Sequence, residues 1–186
     1  GDTVHLATDV GPVIDEEAYN NIQNHIANLA GQAKSLLPVL DNGQTVHNYN
    51  ASIAHLIAPQ AFEVSSISAV KQEIFGPVLH VVRWSGDPAT VVQQINQLGY
   101  GLTLGIHTRI DSRAQRMAHS AKIGNVYINR NQIGAVVGVQ PFGGEGLSGT
   151  GPKAGGPLYL YRFVAEQTIT INTTAAGGNV TLMSQI

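Results

Sequence analysis

A chain of 186 residues with 43% apolar and 12% charged residues, a net charge of −2 and no cysteine can bury the core of one domain, and its composition is neither disordered nor fibrous. The missing cysteine excludes disulfides, thiolate metal sites and a cysteine nucleophile within these residues, and the lack of a basic run argues against nucleic acid. No apolar run reaches membrane-spanning length and the start GDTVHLATDV carries no signal pattern, so a soluble, cytoplasmic protein without a transmembrane segment is the expectation.

DEEAYNNIQNHIANLAGQ (15–32) predicts a helix, acidic at its start, with Ala18, Ile22, Ile26 and Leu29 on one face. SLLPVLDNGQTV (35–46) predicts two short strands about a DNG turn, and Pro38 demotes the first to an edge. HLIAPQAFEV (55–64) predicts another edge strand. The middle of the chain is more regular. VLHVVRW (78–84) is an apolar strand pattern. Asp87-Pro88 then supplies an N-cap and a first-turn proline, Val91, Val92, Ile95 and Leu98 make a stripe, and Gly99 stops the helix. LTLGIHT (102–108) predicts a strand. Asp111 predicts the cap of a helix with Ala114, Met117, Ala118 and Ala121 inward, Lys122 in its last turn and Gly124 at its end. NVYINRN (125–131) predicts the next strand. Strand, helix, strand, helix, strand at these spacings is βαβαβ, so the fold class is α/β with a parallel sheet.

Residues 134–156 hold nine of the 21 glycines. PLYLYRFVAEQ (157–167) then predicts a short helix, TITIN (168–172) a strand, and the tail TTAAGGNVTLMSQI a turn at Gly177-Gly178. A terminal strand or hairpin without a partner inside its own domain often joins another subunit's sheet. That divides the chain into a domain over 1–164 and an oligomerisation strand and tail over 165–186. Charged residues at 12% stand at about half the usual ~25%, which also fits a surface covered in a larger assembly.

Three stretches carry candidate chemistry. Within GGEGLSGTG (143–151), Gly144, Gly146 and Gly149 spell G-x-G-x-x-G. That fingerprint holds phosphate only where a strand feeds into it and a helix starts from it. Here Gln140-Pro141-Phe142 precedes it and Gly151-Pro152 follows, so the reading is a conformationally special loop. IGAVVGVQPFGG (133–144) leaves the carboxyl end of the last βαβ strand, where open α/β sheets place ligands. Its backbone N–H groups beside small side chains suit a small anion, and Phe142 suits an apolar stem; a packed loop of no chemistry is the alternative. In KQEIFGPV (71–78), Glu73 can accept hydrogen bonds from a ribose diol and a neighbouring aromatic can pack on a planar ring; a surface glutamate and a core phenylalanine are the alternative. The seven histidines are scattered without metal spacing, so no metal site is expected.

EIFGPV, YIN, QPFGG and TITIN in this order and spacing resemble the C-terminal part of the aldehyde dehydrogenase superfamily. GYGLTLGIHTRID, GNVYINRNQIGAVVGVQPFGGEGLSGTGPKAGGPLYLYRF and NTTAAGGN are similar to the L-glutamate γ-semialdehyde (1-pyrroline-5-carboxylate) dehydrogenase module of bifunctional bacterial proline utilization A. The resemblance covers essentially the whole chain. It implies NAD-dependent oxidation of the semialdehyde to L-glutamate: a thiolate attacks the aldehyde, hydride passes to the nicotinamide, and water releases the acid. It implies that Glu73 holds the nicotinamide ribose and Phe75 meets the nicotinamide end. Gly134 and Ala135 would lie in a loop anchoring the substrate's α-carboxylate, and Phe142 would wall its aliphatic part. FAD belongs to the separate proline dehydrogenase domain of such bifunctional proteins, which nothing in this chain resembles.

The family's cysteine nucleophile has no counterpart here. With the general-base glutamate, the oxyanion asparagine and the main NAD-binding domain, it would precede Gly1. The resemblance therefore implies a fragment, inactive alone, that forms a homo-oligomer through its C-terminal strand. A different acyl substrate stays open as an alternative. So does a non-catalytic oligomerisation or binding module.

Overall fold

The computed structural model describes residues 1–37, 53–172 and 184. Helix α1 (Glu16–Ala30) starts where the extended Asp15 accepts a hydrogen bond from the Ala18 N–H, and Glu16 and Glu17 occupy the first turn, where the helix dipole favours negative charge. Its predicted stripe faces inward: Ile22 is buried, and Ala18, Ile26 and Leu29 are half-buried. The stripe packs near a three-stranded sheet of β1 (Lys34–Ser35), β2 (Gln60–Glu63) and β3 (Val78–Val81). β1 runs antiparallel to β2 and β3 parallel to it. The segment expected to be an edge is thus the central strand, with Phe62 and Val64 buried. Alternation within 55–64 cannot show this, because the strand that takes its free side directly follows α1, far upstream in the chain.

Gly76 explains how the chain enters β3. A Cβ there would meet the end of the Ile22 side chain, which would have to move, so glycine lets residues 71–77 pass close against α1. Helix α2 (Pro88–Gln97) has the predicted start, with the Asp87 carboxylate accepting from the Ala89 N–H. Its predicted stop also holds, with Gly99 in the left-handed region at φ 76°. β4 (Tyr100–Gly101), β5 (Thr103–Ile106), helix α3 (Asp111–Ser120) and β6 (Asn125–Ile128) follow. β5 and β6 pair in parallel across α3, a βαβ unit, and α2 packs on α3 over Val92 and Ala114, each 1% exposed. Parallel ladders with helical crossovers make the fold α/β.

The expected single βαβαβ sheet is divided, however. β3 bonds only to β2, and β5 only to β6, among the described residues. Each keeps an open edge, and Leu79 of β3 is 60% exposed. Helix α2 brings the chain back in the right sense but does not set which strand lies alongside.

The ends of α3 also differ from expectation. Asp111 is the first helical residue rather than the cap; Ile110 takes the cap position, and its N–H donates to the Thr108 hydroxyl. The helix stops at Ser120 with Ala121 extended, so His119, not Lys122, is the basic residue of the last turn. The cause is tertiary. Asn96 of α2 donates to the Ser120 carbonyl at 2.9 Å and accepts from the Lys122 N–H at 2.8 Å. That clamp ends the helix before Gly124, whose own role is described below.

β7 (Glu145–Gly146) pairs antiparallel with β4. Single 3₁₀ segments lie at Ile67–Ala69 and Tyr159–Phe163, the latter being what the predicted helix at 157–167 becomes. The strand predicted at 168–172 joins no ladder among the described residues, and Ile169 and Ile171 are exposed. The DNG turn at 41–43 and the turn at Gly177-Gly178 lie outside the described residues.

Candidate functional site

Glu73 and Phe75 lie just before β3 and share a cleft of about 300 Å³ with Ile14, Asp15, Glu17 and Ala18 at the start of α1. Phe75 is 79% exposed, so it is not the core residue the bland alternative required. Glu73 is exposed, and its carboxylate has no hydrogen-bond partner among the described residues. With Asp15 and Glu17 it gives the cleft three carboxylates. Such a wall repels phosphate and accepts hydroxyl hydrogens, so it suits a sugar diol.

The loop after β6 is the second part. Asn129, at φ 55°, turns the chain out of the strand, and its side chain accepts from the Thr108 N–H and donates to the Thr108 carbonyl. The loop then runs through Gly134 (φ 67°) and Gly138 (φ 78°), conformations that favour glycine. Not every amide expected to hold an anion is available. The Val136 N–H donates to the Gln140 side chain at 3.0 Å, and the Val139 N–H to the Val136 carbonyl at 3.1 Å. Those of Ile133, Gly134, Ala135, Val137 and Gly138 have no acceptor among the described residues. The unspent amides are therefore fewer than those of residues 133–139 and are those of Ile133, Gly134, Ala135, Val137 and Gly138 among the described residues.

Phe142 is half-buried and fixed by its backbone, which exchanges two 3.0 Å hydrogen bonds with Ala154. Asn125, a residue the sequence did not single out, holds both neighbours of that ring. Its side chain donates to the Pro141 carbonyl at 3.0 Å and accepts from the Gly143 N–H at 3.2 Å. A polar residue opening a strand, well before a Pro-aromatic pair, was the only trace of this in the sequence. The cleft of Glu73 and Phe75 is not lined by Gly134, Ala135 or Phe142, so the candidate residues form two separate groups.

GGEGLSGTG turns its amides inward. Leu147 N–H donates to Gly99, Ser148 N–H to Glu145, and Gly149 N–H to Gly146, while the Ser148 hydroxyl accepts from the Gly101 N–H. A Cβ on Gly144, Gly146 or Gly149 would strike backbone atoms of this same knot. Gly124 is crowded likewise by the Gly143 carbonyl, and the Lys153 ammonium donates to the Gly124 carbonyl. These glycines serve close backbone packing.

The model of the aldehyde dehydrogenase family matches residues 1–169. The chain belongs to the aldehyde dehydrogenase family. This aldehyde dehydrogenase chain is 50% identical over 169 residues to the bifunctional protein PutA of Klebsiella aerogenes, covering 90% of itself and 13% of that protein. It superposes on a mutant proline utilization A (PutA) from Bradyrhizobium japonicum with a TM-score of 0.74 at 48% identity, over 91% of itself and 16% of that chain. A 1-pyrroline-5-carboxylate dehydrogenase from Thermus with bound NAD superposes with a TM-score of 0.69 at 34% identity, over 83% of this chain and 29% of that one. The aldehyde dehydrogenase sequence in hand thus spans a small part of each relative. Among its described residues no helix is long and apolar enough to cross a membrane.

Proposed function

We propose that these residues are part of an NAD-dependent dehydrogenase that oxidises L-glutamate γ-semialdehyde to L-glutamate, and that they supply its carboxylate anchor. The observation that carries this reading is the group of uncommitted N–H donors at Gly134, Ala135, Val137 and Gly138 on a loop at the carboxyl end of β6. Backbone N–H groups held at positive-φ glycines gather around small anions. Nothing lies within 4 Å of a Cβ built on Gly134 or Gly138, so an anion has room to approach. Phe142, fixed through Asn125, walls the aliphatic stem of the substrate.

NAD, where bound, takes the hydride from the substrate. The Glu73 carboxylate, without a hydrogen-bond partner among the described residues, would accept from the ribose hydroxyls, and exposed Phe75 would pack at the nicotinamide end. The chemistry also requires a thiolate, and the sequence has no cysteine. These 186 residues therefore bind and orient rather than react. The segment 168–172 serves as an oligomerisation strand, which accounts for exposed Ile169 and Ile171.

Two measurements test the reading. With semialdehyde and NAD added to the chain, absorbance of the reduced nicotinamide stays at background; turnover above background overturns the assignment of the nucleophile elsewhere. With L-glutamate titrated into ¹⁵N-labelled chain, the amide signals of Gly134, Ala135, Val137 and Gly138 move together. If they stay still while others move, the anchor is lost as an explanation.

A further inference from the structure

His25 on α1 and His80 on β3 are 55 residues apart in sequence, yet their Nε2 atoms lie 2.8 Å apart, with the rings 5.0 Å between centroids and 70° between planes. At that separation the rings share one hydrogen: one Nε2–H donates to the lone pair of the other Nε2. We propose that this pair is a binding site for one divalent transition-metal ion of the Ni²⁺/Cu²⁺ type. The proposal is independent of the dehydrogenase reading.

The spacing carries the inference. Imidazole nitrogens sit about 2.0–2.1 Å from such ions, so two ligands at a right angle lie about 2.9 Å apart, and two at the tetrahedral angle about 3.3 Å. The observed 2.8 Å matches the right-angle pair of square or octahedral coordination. For the ion to enter, the donating ring shifts its hydrogen from Nε2 to Nδ1, and both rings tip so that their lone pairs meet beside the line between them. No net proton is released from the neutral pair. Water completes the coordination, because both rings are only half-buried and no group of three or more His, Cys, Asp or Glu gathers among the described residues.

The surroundings keep the pair ready. A turn away on α1 stand Asn21, Ile22, Asn28 and Leu29, none charged. On the same sheet face as His80 are Val78, Val82, Gln60, Phe62 and Val64. Glu63 and Arg83 pair with each other at 2.8 Å on the opposite face, where Lys34 also lies. No carboxylate on these elements holds either ring protonated. Burial lowers the affinity of both rings for protons below the ordinary histidine value of about 6.5, and His25 lowers His80 further. Only an unprotonated nitrogen binds the ion, so protons compete with it as pH falls.

The test is a thermal melt of the chain with and without Ni²⁺ at neutral pH, with Mg²⁺ as control. Ni²⁺ raises the midpoint by several degrees, a chelator reverses it, Mg²⁺ does nothing, and the effect fades as pH falls well below about 6.5. His25→Gln and His80→Gln each abolish the rise. A variant that responds like the unmodified chain, or an unmodified chain indifferent to millimolar Ni²⁺, overturns the proposal. Should a variant not fold, the unmodified chain still decides: Ni²⁺ must broaden the amide signals around His25 and His80 together, and broadening at one alone or neither overturns it.

Discussion

Two glycine-rich loops leave the same part of the fold and use glycine for opposite reasons. In residues 133–139 the glycines have space around them and left-handed backbone; a Cβ at Gly134 or Gly138 meets nothing within 4 Å. In residues 143–151 most of them have no space at all, because backbone from Gly99, Gly144 and Ser148 occupies the place of a side chain. The first loop leaves amides unspent and Val137 96% exposed. The second spends its amides on its own carbonyls and on β4. One leaves its donors open, and the other is a floor of packed backbone. Composition alone cannot separate them, since crowding is a property of chain segments brought together.

The comparison yields graded predictions. Gly124→Ala should cost the most, about 3 kcal/mol, because its Cβ meets the Gly143 backbone, which cannot move aside cheaply. Urea denaturation of the purified chain measures this; an unchanged midpoint would show that the second loop yields easily and is no floor. Asn125→Ala should come next, at about 2 kcal/mol, by leaving the Pro141 carbonyl and Gly143 N–H without their partner. In an active enzyme carrying this segment, the same change should raise KM for the semialdehyde more than it lowers kcat, because it acts through the position of Phe142. Equal loss in both would argue that Phe142 does not touch the substrate's stem.

Gly134→Ala should have the smallest effect on stability, about 1 kcal/mol, from left-handed strain without any clash. Its effect on glutamate binding should be larger than its effect on unfolding. A ratio reversed from this, with stability strongly reduced and binding kept, would merge the two loops into one structural class and remove the contrast between them.

Much was legible from the sequence, and the reasons are local. Asp15 capping α1, Asp87-Pro88 opening α2 and Gly99 closing it are decisions made within one helical turn, where a side chain and the backbone it serves are close in the chain. The inward stripe of α1, and that of α2 through Val91, Val92 and Ile95, follow from helical periodicity in the same way, while Leu98 lies beyond α2 and is exposed. The motif text was likewise enough to point to the family. The candidate residues were legible as positions but not as a site: Glu73 and Phe75 proved open to solvent, while Val136 and Val139 proved to have spent their amides.

What the amino-acid order determined by itself is helices α1, α2 and α3, the strands β3, β5 and β6 between and beside them, the α/β class and the absence of a thiol. Only the tertiary structure decided that 60–63 is a central strand, that β3 and β5 do not pair, that Asn96 ends α3 from a neighbouring helix, and that His25 meets His80. Each of these depends on which of several chemically acceptable partners lies within about 3 Å. Distance between segments far apart in the chain is set by packing of the whole, and no local pattern encodes it.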